Sequence, residues 1–194
     1  MILYILLAII LILVIWVAAT YNFFVSSKTR VGAAIQEIGN QLKRQSELIP
    51  NLEASAKGYL KHEKGIYDEL TSARRAISSA VESGDLKKMA DAGKKLADVL
   101  PKIQVIVESN PELKGAEVVT NLMDELRDTS DKVMYARRLL IDLTAEYNVR
   151  LVSFPSNLIA GMFHFEKLAG LETPSDGAEL KVTDEETKTP KVNL

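Results

Sequence analysis

Only a few residues of the sequence could take part in chemistry, and the carboxylate of Glu63 is the most informative of them. Glu63 falls at an apolar position of a helical run in which spacings of three and four residues alternate. A charge at such a position is costly to bury, so the carboxylate is either activated for catalysis or neutralised by a partner. Arg137 or Arg138 could be that partner, and Arg137 is favoured because it adjoins the apolar position Ala136. Since buried pairs more often fix helix register than perform reactions, we predict a structural polar pair of Glu63 and Arg137.

Other signatures of a reaction centre are missing from the sequence. The chain contains no cysteine and only two histidines, which leaves little for thiolate, metal or proton-transfer chemistry. A helical zinc pair would need a second histidine four residues after His62, where Ile66 stands, and His164 is distant. Gly93-Lys94 lacks the glycine loop and the preceding strand of a phosphate-binding site. We therefore expect no enzymatic activity, no cofactor and no metal site.

One end of the chain carries no charged side chain. All 24 basic and 26 acidic residues lie at Lys28 or beyond, and residues 1–19 are apolar without glycine or proline. At about 1.5 Å per residue these residues span roughly 28 Å, which matches a hydrocarbon core of about 30 Å. A cleaved signal peptide would need a basic start and a shorter apolar core. The pattern predicts an uncleaved transmembrane anchor at residues 1–25.

Basic residues close to this segment predict its orientation. Lys28, Arg30, Lys43 and Arg44 follow it, whereas only the amine of the chain precedes it. Because positive charge stays in the cytoplasm, we predict a cytoplasmic C-terminal domain and an external N-terminus, with a translocated domain as the alternative. Lys28 and Arg30 are expected to contact anionic lipid headgroups. For Lys43 and Arg44, about 20 Å further along a helix, lipid contact and a solvated helix face stay equally open.

The sequence after the anchor has helical periodicity. Four apolar runs, over residues 31–42, 49–80, 86–107 and 119–151, repeat at spacings of three and four residues. Narrow apolar seams of this kind are typical of helices that cross at about 20°. We therefore predict an all-α fold, in which an N-terminal transmembrane helix is followed by an antiparallel up-and-down four-helix bundle over residues 28–170.

Turn-forming residues separate the four runs. Ser83-Gly84-Asp85 combines a glycine stop with an N-cap, and Asn110-Pro111 combines a cap with proline at the first helical position. Pro101 is expected to kink the third helix, and Phe154-Pro155 to end the fourth. Pro50 is either a corner between the first two helices or a kink in one long helix, and matched helix lengths favour the corner.

Two further segments follow the fourth run. Residues 158–165 are short and apolar, and they either cap the open end of the bundle or touch the lipid interface, with capping the commoner role. Residues 171–194 are rich in acidic side chains and lack aromatic ones, which predicts a disordered acidic tail.

Short motifs are distributed from the anchor to about Phe165, and the most specific block runs from Leu42 to Leu52. The motifs are Gln41-Leu42-Lys43-Arg44, Leu48-Ile49-Pro50-Asn51-Leu52, Tyr147-Asn148 and Phe154-Pro155. Together they resemble the LemA family. The resemblance implies a single-pass protein of the bacterial inner membrane, with a cytoplasmic helical bundle and no established reaction.

These observations lead to a hypothesis about function. We expect an interaction or scaffold module whose partners are membrane lipid and a protein, with a second copy of the chain left open as a partner. The net charge of −2 gives no support to a nucleic-acid partner. The alternative is an enzyme or small-ligand binder that uses a polar pocket around Glu63, Arg137 and Tyr147.

Overall fold

The computed structural model describes residues 1–56, 58 and 64–171, and this part of the chain folds into helices without any strand. The predicted all-α fold is therefore confirmed. From residue 172 onward, the predicted acidic tail lies outside the described residues. The helices of the described part are α1 (Ile2–Ser55), α2 (Lys64–Ser83), α3 (Leu86–Ser109), α4 (Pro111–Gly115), α5 (Glu117–Val152) and α6 (Ser156–Met162).

The first helix joins the predicted anchor to the bundle without a break. α1 contains 54 residues, which corresponds to about 81 Å at 1.5 Å per residue. Its first four turns are exposed on all sides, whereas from Thr20 onward one face is buried against other helices. The predicted anchor, residues 1–25, and the predicted start of the bundle at residue 28 therefore lie on one continuous helix.

The predicted corner at Pro50 is wrong, because α1 continues through this proline and ends at Ser55. A proline inside a helix costs about 3 kcal/mol, since it lacks an N–H donor and clashes with the preceding turn. Ile49 and Leu52 are both fully buried, and each contributes about 1.5–3 kcal/mol by leaving water. Their packing offsets the cost of the proline and requires the helix to continue in register beyond it.

Contacts between α1 and α5 show that these two helices are antiparallel. The rings of Phe24 and Tyr147 lie 5.4 Å apart, while Gln45, further along α1, donates to Ser130, which comes earlier in α5. The pairing of later residues in one helix with earlier residues in the other brings the end of α5 back to the apolar segment of α1.

Contacts of α3 complete the topology. Lys102 Nζ lies 2.6 Å from Glu69 Oε2 of α2, so α2 and α3 form an antiparallel hairpin around Gly84. A Cβ atom added at Gly93 would lie 3.5 Å from the side chains of both Leu42 and Val133, which places α3 against α1 and α5. The four long helices α1, α2, α3 and α5 thus run alternately away from and towards the apolar segment. The predicted antiparallel up-and-down bundle is confirmed.

The core of the bundle follows the predicted seams. Apolar side chains from all four long helices are fully buried, and α3 contributes to this core while continuing through Pro101. Packing of this kind is the main source of helix stability in water. The largest of the fully buried aliphatic side chains are Ile38, Leu42, Ile49, Leu52, Leu70, Ile77, Leu96, Ile103 and Leu126.

The predicted boundary at Ser83-Gly84-Asp85 is confirmed. α2 ends at Ser83, and Gly84 adopts the left-handed backbone (φ +65°) that favours glycine. The Asp85 carboxylate accepts hydrogen bonds from the backbone N–H groups of Lys87 and Lys88, at 2.9 and 3.1 Å. Two otherwise unpaired donors at the start of α3 are thereby satisfied.

The predicted fourth helix is divided in two. Pro111 occupies the first turn of α4 as expected, but Asn110 donates back to the carbonyl of Ile106, at 2.7 Å, instead of capping α4 with its side chain. α4 ends at Gly115, and Ala116 has extended backbone before α5 begins. Glycine is about 1 kcal/mol less favourable than alanine inside a helix, which explains why the break falls here.

Candidate functional site

The exposed apolar part of α1 is a candidate lipid-contacting surface. Its large side chains within residues 1–15 are 48% to 98% exposed, with Ile10 and Met1 at the two extremes. The segment is long and apolar enough to cross a membrane, and among residues 1–56 and 64–171 no other helix meets that condition. A continuous apolar surface of this size is unfavourable in water, so its exposure is consistent with a membrane anchor.

Lys28 and Arg30 lie on exposed faces of α1 shortly after the apolar segment. Lys28 is nine residues beyond Ala19, which corresponds to about 14 Å along the helix. Long basic side chains can extend their charges back towards headgroups while their methylene groups cover apolar surface. The exposure of both residues fits the predicted lipid contact, which stays a prediction.

Arg44 contacts another helix. Its Nε donates to Glu125 Oε1 at 3.0 Å, and its guanidinium forms an ion pair with the same carboxylate of α5. The hydrogen bond from Arg44 to Glu125, together with the negative charge of that carboxylate, raises the pKa of Arg44. Lys43 beside it is exposed. Because the pair is open to solvent it adds little to stability, but it links α1 to α5 within the most specific motif block.

The leucine and isoleucine residues of the motif block between Gln41 and Leu52 belong to the bundle core. Gln41 is half-buried and its amide donates to Glu37 Oε1 at 2.8 Å along the same helix, while Lys43, Arg44 and Asn51 are exposed. A structural role explains why the block combines leucine and isoleucine at helical spacing. The block residues that are buried or packed against the core are Leu42, Leu48, Ile49 and Leu52.

A buried polar residue, Gln45, was not predicted. Only 1% of Gln45 is exposed, and its Nε2 donates to Ser130 Oγ at 3.0 Å. Its Oε1 has no hydrogen-bond partner among the residues that the structure describes. The signal was present in the spacing, because Gln45 lies three residues after Leu42 and four before Ile49, in line with the apolar seam.

The motif pair Tyr147-Asn148 holds the segment after α6 against α5. Tyr147 is 1% exposed, and burial, with a smaller effect from the charge of Glu166, raises the pKa of its phenol. The side-chain amide of Asn148 accepts from the backbone N–H of Leu168 and donates to its carbonyl, each at 3.0 Å. This two-way bond fixes the chain beyond α6 on the surface of α5.

An aromatic cluster closes the bundle beside the apolar segment of α1. We define it as Tyr21, Phe24, Tyr147, Phe163 and Phe165, which come from three separate parts of the chain. Phe24 stacks on Phe165 with ring centroids 4.9 Å apart, and Tyr21 meets Phe163 edge-on at 4.8 Å. Residues 158–165 therefore make the predicted capping contacts at the end of the bundle that adjoins the anchor.

The predicted pair of Glu63 and Arg137 is not tested, because Glu63 lies outside the described residues, as does His62. Arg137 is half-buried on α5, ten residues before Tyr147. Ten residues correspond to about 15 Å along a helix, so the structure does not bring Arg137 and Tyr147 into one small pocket. The pocket of the alternative hypothesis stays a prediction without support from these two positions. Among residues 1–56 and 64–171, no group of acidic and histidine side chains could hold a metal ion.

Arg137 lines a groove between α3 and α5. The groove encloses about 320 Å³, and apolar side chains line most of it. Three cationic residues and one acidic residue, Asp131, line the groove beside this apolar surface, and one of the cations, Arg127, is paired with Asp124 at 3.5 Å. The cationic residues are Lys94, Arg127 and Arg137, and the apolar lining includes Ala97, Leu100, Pro101, Met123, Val133 and Met134.

The fold and these surfaces together define a class of protein, an all-α bundle carried on a helix that could span a membrane. A model of the LemA family matches residues 34–193, which is most of the chain. The chain belongs to the LemA family. A search of the curated proteins finds none that matches it.

Proposed function

We propose that this LemA-family protein is a non-enzymatic interaction or scaffold module at the bacterial inner membrane, with its bundle in the cytoplasm. The observation that supports this proposal best is the unbroken course of α1 from the exposed apolar segment into the core. A flexible linker would let the bundle sample many orientations. A continuous helix instead holds the faces of the bundle in one orientation relative to the apolar segment, as a scaffold requires.

The α3/α5 groove is the surface through which we propose that a protein partner binds. Its apolar lining fits one face of an amphipathic helix, and helix-in-groove binding is a common mode of peptide recognition. The lining residues include three cations, Lys94, Arg127 and Arg137, and one carboxylate, Asp131, with Arg127 also paired to Asp124. Charge complementarity then favours a partner helix with acidic residues beside its apolar face.

Site-specific photocrosslinking in cells tests this assignment on the full-length protein. Met134 lines the groove and is 63% exposed, so a photoreactive residue there should crosslink to a discrete protein. Val118 is the matched control, because it lies on the same helix at 61% exposure. At about 100° per residue it is turned roughly 160° away from Met134.

Charge reversal identifies whether the crosslink depends on the groove. The double substitution Arg127→Glu and Arg137→Glu should abolish the Met134 product while membrane attachment is kept. A product that forms equally from Val118, or that survives the charge reversal, would contradict the groove as the binding surface. A crosslink to a second copy of the chain, lost on charge reversal, would replace the acidic partner helix with self-association.

Orientation is tested separately, with reporters fused after Leu194. Lys28 and Arg30, exposed just beyond the apolar segment, support a cytoplasmic bundle through the preference of basic residues for the cytoplasm. A fluorescent reporter that folds in the cytoplasm should be bright, and a phosphatase that is active only outside should be silent. The opposite pattern would place the bundle outside the cell membrane.

A further inference from the structure

The end of the bundle that adjoins the anchor carries a second exposed apolar surface. We define the α6 patch as Val152, Phe154, Leu158, Met162 and Phe163, which are 45% to 80% exposed. Leu158 and Met162 are four residues apart and therefore project from the same face of α6. On the other side of the helix, Ile159 and Ala160 are buried against the bundle. α6 is thus amphipathic, with one face in the core and the other exposed.

The sequence around the patch contains no charge. Residues 151–163 have no acidic or basic side chain, although charged residues make up 26% of the chain. Surface helices of soluble bundles normally place charged residues on the face that meets water. The α6 patch departs from this rule over its whole length.

The patch is continuous with the apolar surface of α1. The Phe163 ring contacts the Tyr21 ring at 4.8 Å. Together with Leu13, Val14 and Val17, Phe163 also lines one cavity beside α1. These residues of α1 belong to the segment that could cross a membrane. A bilayer that surrounds this segment up to Tyr21 therefore also meets Phe163.

Basic and aromatic residues border the patch where headgroups would lie. The guanidinium carbon of Arg150 lies 4.0 Å from the centre of the Phe23 ring, one turn after Thr20 on α1. Tyrosine and arginine side chains, here Tyr21 and Arg150, are typical of the boundary between hydrocarbon and water. Arg150 lies two residues before Val152 on a helix that runs towards the apolar segment of α1, so this charge precedes the uncharged patch, in the order of polarity expected across a bilayer surface.

We propose that the α6 patch inserts into the headgroup region of the same bilayer that α1 crosses, as a second, interfacial membrane contact. Short amphipathic helices bind bilayers in this way, with the apolar face a few ångströms below the headgroups. The lipid bilayer is chosen as occupant because the patch joins the anchor surface without a gap. The inference rests on the membrane anchoring of the proposed function, but not on the partner groove.

Because the chain has no cysteine, single labels can report the depth of each position. In Leu158→Cys, an environment-sensitive fluorophore would occupy the patch. In Val105→Cys, it would occupy the matched control, since Val105 is 64% exposed compared with 60% for Leu158. Val105 adjoins Gln104, which accepts a hydrogen bond from Arg127 of α5. Arg127 precedes Tyr147 by 20 residues, about 30 Å along α5, so Val105 lies far from the end of the bundle that adjoins the anchor. Both full-length variants are reconstituted into vesicles and first checked by flotation, which tests anchoring on its own.

The two labels should then respond oppositely to two quenchers. Lipids spin-labelled high on their acyl chains should lower the emission at position 158 at least about twofold, and aqueous iodide should have little effect there. At position 105 iodide should quench and the spin-labelled lipid should not. If both variants float but iodide quenches both labels equally, the patch faces water and the proposal is overturned. Protection of position 158 from iodide without quenching by lipid would also overturn it, because a second protein surface would then cover the patch.

Discussion

Replacement of Tyr147 by alanine tests whether the aromatic cluster fastens α5 to α1 near the anchor. Tyr147 is 1% exposed and meets Phe24 edge-on at 5.4 Å. Loss of a buried aromatic side chain costs about 3–5 kcal/mol, of which the edge-to-face contact accounts for about 0.5–1.5 kcal/mol. In a chain of this size each kcal/mol lowers the Tm by about 2–4 °C, so we expect a decrease of about 6–20 °C.

The assay is thermal unfolding of the full-length protein in one mild detergent, followed by far-UV circular dichroism. Tyr135→Ala is the control, because Tyr135 lies on the same helix and is 71% exposed. Its removal should change the free energy of unfolding by no more than about 0.5 kcal/mol. Equal decreases in Tm for the two variants would refute the reasoning, since burial would then not determine the cost.

Four further predictions address other features. The unchanged protein should lose stability at alkaline pH, and Tyr147→Phe should remove this loss. Because the pKa of Tyr147 is raised in the folded protein, its neutral phenol contributes to the free energy of unfolding. This contribution is complete below the ordinary pKa of about 10 and disappears as the pH rises through the pKa of the folded state. Unfolding curves of both proteins at rising pH check this, and parallel losses would contradict it. Asp85→Ala should lower the free energy of unfolding by about 0.5–2 kcal/mol, since two backbone N–H groups lose their acceptor, and chemical denaturation measures the change. Pro50→Ala should keep the fold and raise the free energy of unfolding, by up to about 3 kcal/mol, because α1 is already continuous there and regains a backbone N–H donor; a decrease in the free energy of unfolding, measured by chemical denaturation, would instead support a corner. A double-mutant cycle on Glu63 and Arg137 should give a coupling of about 0.5–3 kcal/mol if the two side chains pair, whereas additive effects would reject the pair.

The bundle could be predicted from the sequence because its determinants are local. Spacings of three and four residues define which face of each helix is buried, whatever the partner helix is. The turn at Gly84 and the cap at Asp85 likewise depend on residues within one turn of each other. These features need no knowledge of how the helices are arranged in space.

The course of α1 differs from the predicted corner because the apolar seam outweighs the helix-breaking effect of Pro50. Leu42, Gln45, Ile49 and Leu52 are spaced three, four and three residues apart, so the buried face continues across Pro50 without a change of register. The polar residue Gln45 interrupts the apolar pattern between Leu42 and Ile49, so the pattern alone does not indicate that the buried face is continuous. A helix that buries Ile49 before the proline and Leu52 after it can tolerate the missing hydrogen bond.

Contacts between helices could not be predicted from spacing. The pairing of Arg44 with Glu125 and the bond of Asn148 to Leu168 depend on the rotation and axial offset of whole elements. The same holds for α6, whose buried face became evident only from its position against α1. Periodicity identifies which face of a helix is buried, but it does not identify the helix that packs against this face. The surfaces that could bind other molecules depend on that packing.

Because α1 is continuous, a tilt of its apolar segment also moves the part of the helix that belongs to the bundle. Ser55 lies 35 residues beyond Thr20, about 53 Å along the axis, so a tilt of about 10° within the bilayer would displace the far end by roughly 9 Å. Helices of fixed apolar length adjust their tilt when bilayer thickness changes. A change in lipid composition that alters bilayer thickness would therefore also displace the far end of the bundle by several ångströms.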